Sequence, residues 1–375
     1  MCSNLGDRGK LRPMIAPHLR VLAAAAGLLA CAAPGAPAQA QGVSAKTVVL
    51  GQSAPLTGAS QALGEEIRNG ALAYLRTLND AGGVHGRRIE IATLDDAGEP
   101  ARALANTQRL VEQLRVFALL AYPEASVTRE VLAAAQQGDV PFFAPLTGAE
   151  LVQKAQRNVV TVRASRADEV ERVVEHYAQL GLKRFALQAG GGEPGEWREA
   201  LARALKKLRL EAPVAADGAD VVLLAAPARE SADLVRSLRR SGNRAQVVTL
   251  SAADAFALAG ALGREGAGVA LAQVVPPLAH VALPLVAEYR AAYARETGGR
   301  PFGAASLESY LGAKVFAEAV RRAGPGLTRA GLMQALETMS PYDAGGYLLA
   351  YGRGDRHGSS RIHLLAIGRD GALLH

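Results

Sequence analysis

Leu78-Asn79-Asp80-Ala81-Gly82-Gly83-Val84-His85-Gly86 ends one element and begins another, and the fold follows from how it is read. Gly82-Gly83 stops a helix, because glycine takes the left-handed cap without a steric penalty. Upstream, Ile67, Ala71, Leu75 and Leu78 fall on one face at helical spacing. Further back, the β-branched run Thr47-Val48-Val49-Leu50 reads as a buried strand, and Arg88 to Leu94 reads as a second one. Strand, helix and strand make a parallel βαβ unit with a right-handed crossover. Ligands of such sheets bind at the carboxyl ends of the strands. The loop Ala54-Pro55-Leu56-Thr57-Gly58 is therefore the first place to expect one, with Thr57 as its hydroxyl.

The alternation continues along the chain. A helix with Leu104, Gln108, Val111 and Leu114 on one face leads to strand Val116–Ala121, and a helix that Ser126 can cap leads to strand Val140–Phe143. Thr147-x-x-Glu150 and Ser165-x-x-Asp168 are capping-box patterns, with the extended run Val159–Arg163 between them. A second series of strands, Arg184–Gln188, Asp220–Ala225 and Gln246–Leu250, alternates with helices, and Val269–Val275 returns. Helices near Leu283–Thr297, Ala304–Ala323 and Leu332–Met339 have no strands between them and read as cover for the first series. Gly346–Tyr351 and Ile362–Ile367 are terminal strands. This is an α/β chain with two doubly wound parallel sheets.

Composition agrees. The 375 residues are 49% hydrophobic and 21% charged, enough for about two globular domains. The net charge of +7 is spread along helices, with no basic stripe carrying interleaved aromatics, so no nucleic-acid partner is expected. Val21–Ala33 is a short apolar run behind Arg20 and ahead of Ala38-Gln39-Ala40. That pattern is a secretory signal peptide over 1–40, with Met14 as an alternative start. Cleavage after Ala40 removes Cys2 and Cys31, the only cysteines, and leaves no disulfide framework. Leu28-Leu29-Ala30-Cys31 also resembles a lipoprotein box, so lipidation at Cys31 stays open beside simple release into the periplasm.

Three segments carry a family resemblance: Pro55-Leu56-Thr57-Gly58 with Leu63-Gly64 and Asn69-Gly70-Ala71; Leu78 to Gly86; and Asp95-Asp96-Ala97-Gly98-Glu99-Pro100. In this order and spacing they resemble the first lobe of the leucine/isoleucine/valine-binding proteins that serve ABC importers. The likeness thins between Gln188 and Ala253. It implies a type I periplasmic binding fold, with two lobes joined by a three-strand hinge. Lobe 1 would be 45–163 plus 276–342, and lobe 2 would be 164–275 plus 343–375, with crossings near Arg163, Val275 and Tyr342.

The resemblance also implies ligand positions. The first lobe would hold an amino acid's carboxylate and ammonium at Tyr122 to Thr128 and at Leu146-Thr147, where helix starts offer unpaired N–H groups. Thr147 matches a ligand-contacting threonine, and it is equally the cap of its own helix. A family serine falls at Ala125, with Ser126 as a substitute or a cap. Leu146 offers only backbone, and Leu63 stands where some members carry a tyrosine. The second lobe departs from the pattern. Glu193, in the loop Ala189–Gly195, lies near one tyrosine position, and Ala226-Pro227 marks another. The acidic partner of the ammonium falls at Ser251 or Ala252, and between Leu210 and Asp220 a helix of about four turns is missing. Glu193 is either the replacement partner or a solvated loop residue. Trp197 is either helix-end packing or a contact over the ligand.

Gly190-x-Gly192-x-x-Gly195 also fits a dinucleotide fingerprint, but Pro194 and the missing acid on a later strand count against it. No nucleophile elbow or paired-histidine metal motif occurs. The reading is a monomeric, cofactor-free binding protein, not an enzyme. It captures a small amino acid or related carboxylate and delivers it to a membrane ABC permease. A periplasmic sensor subunit, or a degenerate pair of lobes that binds nothing, is the alternative.

Overall fold

The computed structural model describes residues 40–374 apart from 124, 155–156 and 191–193. The signal segment before Ala40, Cys2, Cys31 and Glu193 lie outside the described residues.

The first sheet is built from β1 (Thr47–Ala54), β2 (Arg88–Asp95), β3 (Ala118–Leu120), β4 (Phe142–Phe143) and β5 (Val159–Val160), all parallel. Their spatial order is β2-β1-β3-β4-β5. The order reverses between β1 and β3, so a topological switch point opens at the carboxyl ends of those two strands. Helices α1 (Gln61–Asp80), α2 (Pro100–Gln108), α3 (Ala125–Gln137) and α4 (Glu150–Lys154) are the connections. On α1 the expected face is the buried one, through Ile67, Ala71 and Leu75. On α2 and the π-helical turn Arg109–Gln113 that continues it, the buried face is Ala103, Thr107 and Leu110, one residue earlier than the apolar count suggests, and Leu114 stands 46% exposed. Thr107 can face inward because its hydroxyl is satisfied there, donating to the Ala103 carbonyl at 2.7 Å and meeting the Tyr122 hydroxyl at 3.0 Å.

The second sheet follows α5 (Arg166–Gln179). It contains β6 (Phe185–Ala189), β7 (Val221–Ala225), β8 (Gln246–Thr249) and β9 (Ala270–Gln273), with α6 (Pro194–Lys207), α7 (Ala228–Arg240) and α8 (Ala255–Leu262) between them. The chain then adds α9 (Pro284–Thr297), α10 (Ala304–Ala323) and α11 (Arg329–Glu337), the small antiparallel pair β10 (Tyr342–Asp343) and β11 (Leu348–Leu349), then β12 (His363–Ile367) and β13 (Leu373–Leu374). The second sheet runs β6-β7-β8-β9-β12-β13, with β12 and β13 antiparallel. Among the described residues its β6 edge has no partner strand. The segment after α6 supplies one ladder-type bond, from the Val214 N–H to the Phe185 carbonyl at 2.9 Å, and a 3₁₀ turn at Ala216–Gly218.

Each sheet is covered on both faces. Helices α1, α9, α10 and α11 pack on one face of the first sheet, and α2 and α3 pack on the other. Helices α5 and α6 cover one face of the second sheet, and α7 and α8 cover the opposite one. Ala344, Tyr347, Leu349 and Tyr351 share the first sheet's core. The last part of the chain thus joins the second sheet only at β12, later than residue 343. The Ser165 cap is formed in full: its hydroxyl accepts from the Asp168 N–H at 3.0 Å, and Asp168 accepts from the Ser165 N–H at 3.1 Å. The Thr147 pattern does not form a box. The Thr147 hydroxyl accepts from the Ala149 N–H at 3.2 Å instead, in a tight local turn.

Candidate functional site

The motif Asp95-Asp96-Ala97-Gly98 explains the first loop. Asp95 accepts the backbone N–H groups of Leu56 (2.8 Å) and Thr57 (3.2 Å) and the Thr57 hydroxyl (2.7 Å). These bonds, the Thr57 hydroxyl foremost, hold its carboxyl down at about 2. Asp96 accepts the Ser53 hydroxyl at 2.7 Å and the Gly98 N–H at 2.8 Å. The hydroxyl of Thr57 is therefore engaged in fastening β1 to β2, and Thr57 does not reach the cleft described next.

That cleft, of about 510 Å³, lies between the two sheets' lobes. On the first-lobe side Ala125, Ser126, Leu146 and Thr147 line it, as do Leu63 and Ile67 of α1. The chain leaves β3 and β4 through Ala121 (φ 53°) and Ala144 (φ 48°). Left-handed alanines store strain, and such strain concentrates at ligand-binding edges. Tyr122 is fully buried behind this edge, bonded to Thr107 and edge-on to Phe142, so it supports the loop without facing the cleft. Ser126 lies inside the first turn of α3 and is exposed, so it is not the cap of that helix.

On the second-lobe side the lining is mostly apolar: Ala225, Ala226, Pro227, Ala252, Ala253 and Trp197. Trp197 is 4% exposed, belongs to that lobe's core, and carries the Arg166 guanidinium over its ring at 5.0 Å. Helix-end packing and a cleft wall are thus the same placement. Gly190 also lines the cleft, with its α-carbon close against the Glu230 carboxylate.

Arg163, Glu169 and Glu308, which the sequence reading did not single out as site residues, meet Ser251 at the closed end. The Arg163 guanidinium donates to Glu308 at 3.4 Å and to the Ser251 hydroxyl at 2.9 Å. Ser251 in turn donates its hydroxyl (2.7 Å) and its N–H (2.6 Å) to Glu169. The hydroxyl of Ser251, expected near a ligand ammonium, is used inside this network. Burial pushes both the Glu169 and the Glu308 carboxyl up, against the pull of Arg163. Arg166 pairs with Glu196, which also accepts the Glu150 N–H from the first lobe. Further contacts cross the cleft mouth. Asp254 at the start of α8 accepts the Ala304 N–H at the start of α10 (3.4 Å), and Phe256 meets Phe302 edge-on at 6.3 Å. A signal for Glu308 was present: α10 is buried all around from Ser306 to Ala313, so an acid inside it had to be buried too.

Two α/β lobes closed around one cleft at their strand ends define a solute-binding protein. A sequence model described as periplasmic binding protein matches residues 47–214 and 210–372, and the chain belongs to that family. A solved structure described as a possible leucine/isoleucine/valine-binding protein from Rhodopirellula baltica superposes with a TM-score of 0.77 at 25% identity, over 87% of this chain and 95% of that one. A substrate-binding periplasmic protein from Ralstonia solanacearum gives 0.77 at 26% identity, over 87% and 99%. Among curated relatives, an amino acid binding protein of Pseudomonas aeruginosa is 39% identical over 75 residues, 20% of each chain. The chain thus aligns with only about a fifth of that relative's length. The fold is the two-lobe type I periplasmic binding fold, and family and fold are those of solute-binding proteins rather than enzymes. Among the described residues no helix is long and apolar enough to cross a membrane.

Proposed function

We propose that the chain is exported to the periplasm by the signal segment 1–40, captures a small amino acid or related carboxylate in the inter-lobe cleft, and delivers it as a monomer to a membrane ABC permease. The observation that carries this reading is the cleft itself. Its first-lobe wall brings Ser126, Thr147 and the start of α3 to the switch point of the first sheet. A helix start, with its favourable dipole, beside two hydroxyls suits a carboxylate. The apolar second-lobe wall suits the rest of a small ligand. Relatives named as amino acid and Leu/Ile/Val-binding proteins support the ligand class.

Closure would turn on the three places where the chain passes between lobes, near Arg163, near Val275 and after α11. Binding energy would shift the population from open to closed.

Thermal melting across amino acids and small carboxylates, followed together with Trp197 fluorescence, tests the reading. A ligand that binds only the folded state raises the melting temperature by mass action. The expected result is a saturable rise with a matching change at Trp197, the sole tryptophan. A flat panel would sink the reading and favour lobes that bind no small ligand. Binding in solution without any effect on uptake in cells would point to a sensor subunit instead.

A further inference from the structure

The carboxylate of Glu308 is 3% exposed and lines the cleft, yet only one of its oxygens is engaged. Oε2 meets Arg163 at a long 3.4 Å, and Oε1 has no hydrogen-bond partner among the described residues. A buried carboxylate oxygen without a donor is costly, more so than a neutral group.

The neighbouring charges do not cover that cost. Arg163 is shared, since its other nitrogen serves Ser251, whose hydroxyl and N–H are both committed to Glu169. Arg166 is committed to Glu196. Among the described residues Glu308 and Asp254 are the carboxylates that line the cleft, and Asp254 accepts the Ala257 and Ala304 N–H groups. Glu308 is the one with an open oxygen. A buried ion of this kind is stable only when paired.

The position of Glu308 says what can pair with it. Glu308 lies one turn before Gly312 on the same face of α10. Gly312 packs so closely on Ala144, just past β4, that a β-carbon there would sit 2.4 Å from that of Ala144. The carboxylate of Glu308 therefore rises at the strand-end edge from which Leu146 and Thr147 leave. A first-lobe wall suited to an anion and a buried carboxylate with one open oxygen share one small cavity. A molecule with a carboxylate and an ammonium on the same carbon satisfies both, whereas a plain carboxylate leaves Glu308 open.

We propose that Glu308, from the first lobe, pairs the ammonium of a zwitterionic α-amino acid, and that this makes the cleft selective for amino acids over the same skeletons without the amine. This rests on the reading of the cleft as an amino acid or carboxylate site and narrows it. It also moves the acidic partner from the second lobe, where Ser251 and Ala252 have no acid, to the first.

The test sets each common L-α-amino acid against the carboxylic acid of the same skeleton lacking the amine, by thermal melting and then titration calorimetry of the best pair. The expected result is binding of the amino acid about 30-fold or more above its deamino partner, as for a buried charge pair. In Glu308→Gln that gap should shrink to less than about tenfold, with the deamino affinity little changed. Equal binding of both partners by the wild type overturns the proposal and leaves carboxylate capture standing. An undiminished gap in Glu308→Gln overturns the assignment to Glu308. Silence from both arms overturns the capture reading and this proposal with it. If Glu308→Gln does not fold, a structure of the wild type with its preferred amino acid decides: the ammonium nitrogen lies within about 3 Å of Oε1, or the proposal fails.

Discussion

The two lobes share one construction and differ in completeness. The first has a five-stranded sheet whose order reverses next to β1, with helices on both faces and polar groups at its strand ends. In the second, β6 is the sheet edge among the described residues, with one bond from Val214 along it, and the cleft face is mostly alanine, proline and tryptophan, with Ser251, Asp254 and Gln273 among them. Among the described residues the order does not reverse at β6, so that edge shows no switch point of the kind beside β1. The comparison teaches that, on the proposed reading, recognition of a ligand's charge would fall to the first lobe and to the crossing at Arg163. The second lobe acts as an apolar cover fastened at its rim, through Glu196 to the Glu150 N–H and through Asp254 to the start of α10.

The sharpest way to break that comparison is Trp197→Ala. Trp197 is both cleft wall and core of the incomplete lobe. Truncating a buried aromatic costs about 3–5 kcal/mol, and in a lobe with an unpaired sheet edge this should separate the two lobes' unfolding. Calorimetry is expected to show an added low-temperature transition. One transition merely displaced would mean that the lobes unfold as a unit. Gly70→Ala comes next and strikes the complete lobe. A β-carbon at Gly70 would stand 2.1 Å from the Ser306 carbonyl, where α1 and α10 cross. Overpacking of this kind costs about 1–3 kcal/mol, and pushing α10 outward also displaces Glu308. Reduced urea stability together with weakened ligand binding is expected. Full stability would show that α10 is free to shift.

Much of the fold was legible because local chemistry and tertiary packing agree. Thr47-Val48-Val49-Leu50 lies within β1, Ile67, Ala71 and Leu75 are the buried face of α1, and Ser165 and Asp168 close their box. The misses share one physical cause, that a polar side chain's partner is invisible in sequence. Thr107 faces the core because Ala103 and Tyr122 satisfy it, and that partnership takes Tyr122 out of the cleft. Thr57 gives its hydroxyl to Asp95, 38 residues away. Leu146, Thr147, Ala125, Ser126 and Ser251 do come together at the cleft, because strand ends in a parallel sheet converge whatever their side chains do. Glu308 and Arg163 were missed because the bond between them spans 145 residues and joins helix to hinge.

The seam between the lobes offers a smaller effect that sharpens the comparison. Glu66 of the first lobe accepts the Ser306 N–H at 3.0 Å and hydroxyl at 3.1 Å, and Asp254 of the second lobe binds the same helix start. Burial pushes the Glu66 carboxyl up, and the neighbouring Asp254 charge adds to it, while the Ser306 and Gly303 bonds pull back. A carboxyl whose pKa is raised on folding takes up protons more readily when folded. Its contribution to stability therefore grows as pH falls through the folded value toward the ordinary glutamate value of 4.5, and is lost as pH rises. Glu169 and Glu308, also raised, work in the same direction. His363, lowered by burial, opposes them below its ordinary 6.5. Asp95, held at about 2, loses its stabilising bonds only as pH falls below its ordinary 3.8. The melting temperature of Glu66→Gln should therefore depend less steeply on pH than the wild type as pH falls toward the ordinary glutamate value of 4.5, because one of the stabilising protonations is gone. Since Asp254 is part of the cause, Asp254→Asn should recover a fraction of that flattening without touching Glu66. Identical slopes in all three proteins would mean that the cover and the first lobe do not sense each other's charge at this seam.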